Sequence, residues 1–224
     1  SFSRLLEAAE SFRTALAAQA SDAEVWFSLG KLLLQQQQHT EALDAFIQAI
    51  ALEPANAWSW YYKACTLKSL GQLEAALDSF DQAVELAPLQ SPFWYQRGLA
   101  LLELKRYAEA RDSFVASLKQ QAYSSQGWLA MGWSLQHLDE YEMAIEAYDK
   151  ALGIEPDQPF AFYNQARCYA MLGQLDWAIE HLRRAIGLDP VTYFTRAQSD
   201  LALNALATSE LLLPPVEDDS SLIG

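Results

Sequence analysis

Histidine and cysteine are the residues of this chain best suited to metal binding or catalysis, and their spacing supports neither. His39, His137 and His181 lie far apart, and none is paired with another histidine, a cysteine or a carboxylate in an arrangement typical of metal sites. The chain also lacks the Gly-x-Ser-x-Gly elbow, the Walker loop and the Gly-x-Gly-x-x-Gly nucleotide fingerprint. The sequence therefore predicts no enzyme, no metal site and no cofactor.

Aromatic rings offer a different chemistry, the recognition of apolar side chains on a partner, and they make up 12% of the chain. Trp26, Trp60, Trp94 and Trp128, the core tryptophans, are followed by Phe162, each about 34 residues after the one before. This position is apolar in the repeat pattern whatever such an array binds, so we interpret these five residues as core. Other rings are candidates for binding only if the helices that hold them leave them accessible.

Small residues follow the same interval, which indicates repeated helix pairs. Within each repeat the apolar residues have helical spacing, and a small residue lets neighbouring helices approach closely. Three small positions and one large position recur: Gly30, Ala64, Gly98, Gly132 and Ala166; Ala42, Ala76, Ala110, Ala144 and Ala178; Ala49, Ala83, Ser117, Ala151 and Ala185; and Phe46, Phe80, Phe114, Tyr148 and Leu182.

At these residues the sequence closely resembles the tetratricopeptide repeat (TPR) family, over about residues 2–192. The resemblance implies an all-α fold, a TPR superhelix (an α-solenoid) of antiparallel helix pairs. We expect full repeats at 23–56, 57–90, 91–124, 125–158 and 159–192, after a half repeat or N-terminal cap at 2–22. The repeat register fails after Thr192, so 193–208 is predicted as a C-terminal capping helix and 209–224 as a flexible acidic tail. Lys105 and Ala122 depart from the repeat pattern and predict a looser exit from the third repeat.

In this family the first helices of the repeats line a concave groove that holds peptides or partner helices. The family's Lys/Asn/Arg clamp for a terminal carboxylate is matched by no three consecutive repeats; Phe27, for example, stands where the clamp has Lys. The residues at the inner positions predict an apolar, aromatic groove instead. The candidate binding residues are Trp58, Tyr61, Tyr62, Lys68, Tyr95, Trp133, Phe160, Tyr163, Asn164 and Arg167. The alternative is that these rings pack on one another, or under a neighbouring chain.

Charge and composition exclude several partner classes. The net charge is −14, and the only adjacent basic pairs are Lys105-Arg106 and Arg183-Arg184, so binding to nucleic acid is not expected. No apolar run approaches the roughly 20 residues that span a bilayer, so membrane insertion is not expected either. Two cysteines placed three repeats apart suit a reducing compartment, and we expect a cytoplasmic location.

The leading interpretation is a protein–protein interaction scaffold or adaptor that binds a peptide or helix of a partner, through an apolar segment, in the aromatic groove. The alternative is a regulatory or substrate-presenting TPR segment of a larger multidomain enzyme or signalling protein. An incomplete first repeat and the absence of an initiator methionine favour that alternative. A third interpretation is self-association through the open face of the N-terminal helix.

Overall fold

The computed structural model describes residues 22–207. The half repeat or cap at 2–22, the N-terminal helix proposed for self-association and the tail at 209–224 therefore lie almost wholly outside the described residues. The chain divides into two compact units, and the boundary lies between Ala122 and Tyr123. This boundary falls at the end of the third repeat, where the pattern of turn residues departs from that of its neighbours.

Every regular element in residues 22–207 is a helix, which confirms the predicted all-α fold class. The first unit contains α1 (Ala23–Gln35), α2 (His39–Leu52), α3 (Ala57–Ser69), α4 (Leu73–Leu86), α5 (Ser91–Glu103) and α6 (Tyr107–Gln120). The second contains α7 (Ser125–Gln136), α8 (Tyr141–Ile154), α9 (Pro159–Met171), α10 (Leu175–Leu188), α11 (Pro190–Ser199) and α12 (Asn204–Ala207). None of these helices is both long enough and apolar enough to cross a membrane.

The turn inside each pair places one residue in the left-handed backbone region. Gly71 and Gly173 have φ of 74° and 73°, which glycine adopts without steric cost. Gln37, Lys105 and Asp139 occupy the same place with φ of 61°, 58° and 59°. The turn conformation is therefore kept in all five pairs, although three of them hold a side chain that strains it.

In three of the pairs the small residue of the first helix meets the large ring of the second helix, so the ring also packs inside its own pair and not only between repeats. Phe46, Phe114 and Tyr148 are fully buried. A Cβ atom added to Gly98 would lie 2.6 Å from Phe114 Cε1, closer than carbon atoms approach, and Gly30 and Gly132 face Phe46 and Tyr148 in the same way. The ring therefore fills the space that the missing side chain leaves, which stabilises the pair by close packing.

The structure differs from the prediction of a single capping helix over 193–208. Helix α11 begins three residues earlier, because Pro190 suits a first helical turn and Asp189 Oδ1 accepts a hydrogen bond from the Thr192 amide at 3.1 Å. It ends at Ser199, where Asp200 adopts an extended backbone and its Oδ1 accepts the Ala202 amide at 3.0 Å. A turn and the short α12 follow.

Candidate functional site

In the first unit, four rings at inner positions form a contiguous group, here called the first aromatic surface: Phe27, Trp58, Tyr61 and Tyr62. The Tyr62 centroid lies 5.5 Å from that of Phe27 and 5.2 Å from that of Tyr61, and Trp58 lies 5.5 Å from Tyr61. None of the four is fully buried, and 40% of Trp58 is exposed. The group therefore presents ring faces and edges to solvent on one side of α1 and α3.

Buried rings beneath this surface hold it in place. Phe93 of α5 is fully buried, and its centroid lies 4.8 Å from both Trp58 and Tyr61. Phe46 of α2 stacks on Tyr62 with centroids 5.7 Å apart. These rings therefore do pack on one another in part, as the alternative interpretation predicts. The packing still leaves the outer part of the Trp58 ring accessible.

Cationic groups lie at the edges of the first aromatic surface. The ammonium nitrogen of Lys31 is 5.5 Å from the Phe27 centroid and 5.6 Å from that of Tyr62, within the range of cation–π attraction. Lys68 Nζ donates a hydrogen bond to Gln96 Oε1 at 3.0 Å and lies 3.9 Å from a carboxylate oxygen of Glu103. An acidic partner group would compete with that contact at Lys68, whereas Lys31 is exposed.

Burial keeps the ionisable groups inside this region neutral to a higher pH than they would be in water. Burial raises the pKa of the Tyr61 phenol above its ordinary range, and it raises the pKa of the Cys65 thiol to about 11. Tyr95, on α5, lies 5.8 Å from Phe114, and burial also raises the pKa of its phenol. These side chains contribute apolar area and neutral hydrogen-bonding groups rather than charge.

In the second unit, Trp133 of α7 and Phe160 of α9 form a second aromatic surface. Their centroids are 5.6 Å apart, and both are half-buried. The Trp133 ring also lies 4.6 Å from the ring of His137, whose Nδ1 is 2.8 Å from the Trp133 carbonyl oxygen. Beneath Phe160 lies Tyr148, at 6.5 Å between centroids.

The remaining candidates on α9 take part in internal contacts. Asn164 is buried; its Nδ2 donates to the Phe160 carbonyl at 2.8 Å, and its Oδ1 has no donor among the described residues. Tyr163 is also buried, and its hydroxyl donates to Asp200 Oδ2 at 2.7 Å. Arg167 Nε lies 2.8 Å from the same oxygen, an ion pair whose angle is not that of a hydrogen bond.

Asp200 is a residue of this site that the candidate set omits. Its carboxylate accepts the hydrogen bond from Tyr163 and forms the ion pair with Arg167. These two contacts connect the segment after α11 to the inner positions of α9. Burial, followed by the hydrogen bond to Asp200, raises the pKa of Tyr163 above its ordinary range. The sequence carries a signal for this residue, because Asp200 lies 34 residues after Ala166, where the repeat would place another small side chain.

The ten candidate residues fall into two groups, one in each unit. Trp58, Tyr61 and Tyr62 are in mutual contact in the first unit, with Lys68 and Tyr95 farther along α3 and α5. Phe27, Lys31 and Phe93 belong with the first group, although the candidate set omits them. Within residues 22–207 no cluster of histidine, cysteine and carboxylate side chains has the geometry to hold a metal ion.

Comparison with known proteins gives one consistent family. Models of the tetratricopeptide repeat match residues 2–59 and 61–125, residues 125–158 and residues 159–190. No curated protein sequence matches the chain.

Three solved structures illustrate the similarity. YrrB, a TPR protein with an unusual peptide-binding site, is 22% identical over 88% of this chain and 98% of its own, with a TM-score of 0.78. PilF of Pseudomonas aeruginosa is 21% identical over 88% and 90% of the two chains, with a TM-score of 0.72. MamA from Desulfovibrio magneticus RS-1 is 20% identical over 76% and 96%, with a TM-score of 0.71. At these identities the likeness extends to the fold alone.

Proposed function

The chain belongs to the tetratricopeptide repeat family, and from that premise we propose that it is a protein–protein interaction scaffold whose first aromatic surface binds a peptide or helix of a partner. Members of this family generally act as scaffolds rather than as enzymes. The observation that carries the proposal is the 40% exposure of Trp58 at an inner position that the stacking of repeats does not require to be aromatic.

Physical chemistry favours an apolar segment as the occupant. A tryptophan edge left in water beside two tyrosines forms an apolar patch of the kind that marks binding sites. Because Phe93 fixes Trp58 from below, little side-chain entropy is lost when a partner covers the ring. Tryptophan and tyrosine truncations at interface centres often cost about 2 kcal/mol or more of binding free energy.

Lys31 adds a preference in charge at the rim. It is exposed and lies over two rings of the surface, so a carboxylate of the bound segment can approach it without displacing an internal acid. We expect a segment with apolar anchors and an acidic residue at one end. The peptide-binding site of YrrB, a protein of the same fold, supports peptide recognition as the class of activity.

The second aromatic surface is proposed as a separate binding patch in the second unit. Trp133 and Phe160 are only half-buried, and the nearby Asn164 Oδ1 lacks a donor among residues 22–207. A cytoplasmic location is proposed as well, because Cys65 and Cys168 are both free thiols, as is usual in reducing compartments.

The proposal is tested by selecting displayed peptides on the immobilised protein and measuring the affinity of each selected peptide for variants. We expect Trp58→Ala to weaken binding at least about thirtyfold, the equivalent of ~2 kcal/mol. Trp177→Ala is the matched control, because this indole is 57% exposed on α10 and its ring contacts are with Tyr169 and His181.

A second variant separates binding from folding. Lys31→Glu replaces an exposed side chain and removes its two cation–π contacts, so it should lower stability by at most about 1 kcal/mol and weaken the binding of acidic peptides in a salt-dependent way. Equal loss of affinity in the Trp58 and Trp177 variants, or the absence of any selected peptide that depends on Trp58, would overturn the proposal.

A further inference from the structure

A cavity of about 540 Å³ lies in the first unit between α2, α3 and α4, away from the first aromatic surface. Its walls include Leu43 and Ile47 of α2, Trp60 and Lys63 of α3, and Asp78 of α4. Trp60 and Lys63 follow Trp58 and Tyr61 by two positions, and so they lie about 200° around the helix from them. The cavity is therefore a second surface of α3, with the size of an ordinary ligand pocket.

The repeat itself shows what this cavity lacks. About 34 residues after Lys63 and Ile47, the same two places are held by Arg97 and Asp81. There Arg97 Nε donates to Asp81 Oδ1 at 2.6 Å, and its guanidinium also donates to a serine hydroxyl on α6. The basic residue of the first helix is thus paired with an acid on the second helix of the preceding repeat.

The second unit repeats the arrangement with an amide in place of the guanidinium. Gln165 Nε2 donates to Asp149 Oδ1 at 2.7 Å, across the same separation of positions. An aspartate therefore accepts a hydrogen bond at this place in two repeat pairs. At Lys63 the aspartate is replaced by Ile47, whose side chain is 42% exposed.

Lys63 makes no ion pair within the part of the chain that the structure describes, and Asp78 acts on it only through space. Its ammonium nitrogen lies 4.8 Å over the Trp60 ring, and no carboxylate among residues 22–207 lies within ion-pair distance of it. Burial lowers the pKa of Lys63, and the charge of Asp78 offsets part of that effect. Both observations describe an ammonium group that is partly desolvated and would gain from an added carboxylate.

We propose that this cavity binds an acidic side chain of a partner protein, presented on a segment that carries an aliphatic residue beside the acid. The carboxylate pairs with Lys63 as Asp81 pairs with Arg97, and the aliphatic side chain packs on Ile47 and Leu43. Asp81 itself is already neutralised by Arg97. Asp78 and Asp81 both line the cavity, and Asp78 repels any incoming carboxylate, so the acid must contact Lys63 directly for the ion pair to outweigh that repulsion.

The test uses the intact chain and two acetylated, amidated pentapeptides, Ala-Leu-Glu-Leu-Ala and Ala-Leu-Gln-Leu-Ala. Titration followed by NMR should show that the Glu peptide binds about fivefold more tightly, the equivalent of one partly exposed ion pair of ~1 kcal/mol. Lys63→Met should abolish that preference. Lys150→Met is the matched control, since Lys150 lies 4.4 Å over the Trp128 ring of the second unit and does not line this cavity.

A second variant fills the place directly. Ile47→Asp should reproduce at Lys63 the internal ion pair of the neighbouring repeat, and it should remove the preference for the Glu peptide. Ile47→Asn introduces a side chain of the same size as aspartate but without its charge, so this variant should retain the preference. Helicity by circular dichroism shows that each variant is folded. The proposal fails if the wild-type chain binds both peptides equally or not at all, or if the preference survives in either the Lys63→Met or the Ile47→Asp variant.

Discussion

Replacing Tyr148 by phenylalanine tests how the core beneath the second aromatic surface is held. Tyr148 is fully buried, and its hydroxyl donates to Oε1 of Gln136 at 3.1 Å, where Gln136 itself is only 7% exposed. Burial raises the pKa of Tyr148 well above its ordinary value, so the hydroxyl remains a donor across the neutral range. The change Tyr148→Phe deletes the donor and leaves a buried amide oxygen without it.

The magnitude follows from that asymmetry. A net hydrogen bond contributes about 1 kcal/mol, and an orphaned buried acceptor costs about 1–3 kcal/mol, so Tyr148→Phe should destabilise by ~1–2 kcal/mol. Gln136→Leu orphans the hydroxyl instead and should cost a similar amount. The double variant removes both polar groups and reproduces the Phe114 and Leu102 pair of the third repeat. It should therefore lie within about 0.5 kcal/mol of the wild type, which is a strong favourable coupling.

The assay is urea unfolding of all four proteins, monitored by circular dichroism. Because the chain divides into two compact units, the m-value of each variant must match that of the wild type before free energies are compared. A neutral Tyr148→Phe variant, or a double variant whose loss equals the sum of the two single losses, would refute the reasoning.

Three further predictions concern other parts of the chain. Lys105→Gly should raise the free energy of unfolding by about 0.5–1 kcal/mol, and with it the urea midpoint, because it relieves a left-handed φ of 58° at an exposed residue. An unchanged midpoint would contradict this. Arg97→Met should lower the free energy of unfolding by about 1–2 kcal/mol at both low and high salt, because it leaves the half-buried Asp81 without its ion-pair partner. A loss of stability that disappears at high salt would instead indicate a solvent-screened surface pair. Burial raises the thiol pKa of Cys65 to about 11 and of Cys168 to about 12. Both thiols therefore stay protonated at pH 8. Iodoacetamide should label the partly buried Cys65 faster than the buried Cys168, and it should label a small-molecule thiol in solution faster than either.

The helix pairs and their core could be predicted because one interval governs them. A small residue such as Gly98 and the ring of Phe114 belong to the same pair, so the period alone brings them together. Lys105 stands where neighbouring turns have glycine, and its turn keeps the conformation of Gly71, as expected for a repeat of the same fold. A lysine tolerates that backbone at a modest steric cost, which a composition pattern does not measure.

The candidate site was harder to predict, because its contacts cross between helices. The inner positions identify which side chains can share a surface, such as Trp58, Tyr61 and Tyr62. They do not reveal that Trp58 meets Phe93 edge-on, since that contact depends on how two neighbouring repeats are packed. Nor does the pattern pair Arg167 with Asp200, because Asp200 lies beyond the last residue that follows the repeat.

The most direct test of the central claim is fluorine NMR of protein labelled with 5-fluorotryptophan, which gives a resonance for each of the seven tryptophans. Single tryptophan-to-phenylalanine variants assign them. On titration with a peptide selected on the intact protein, we predict a saturable shift of the Trp58 resonance, while the resonances of Trp94, Trp128 and Trp177 stay in place. Shifts confined to Trp177, or saturable binding that leaves Trp58 unmoved, would contradict the account.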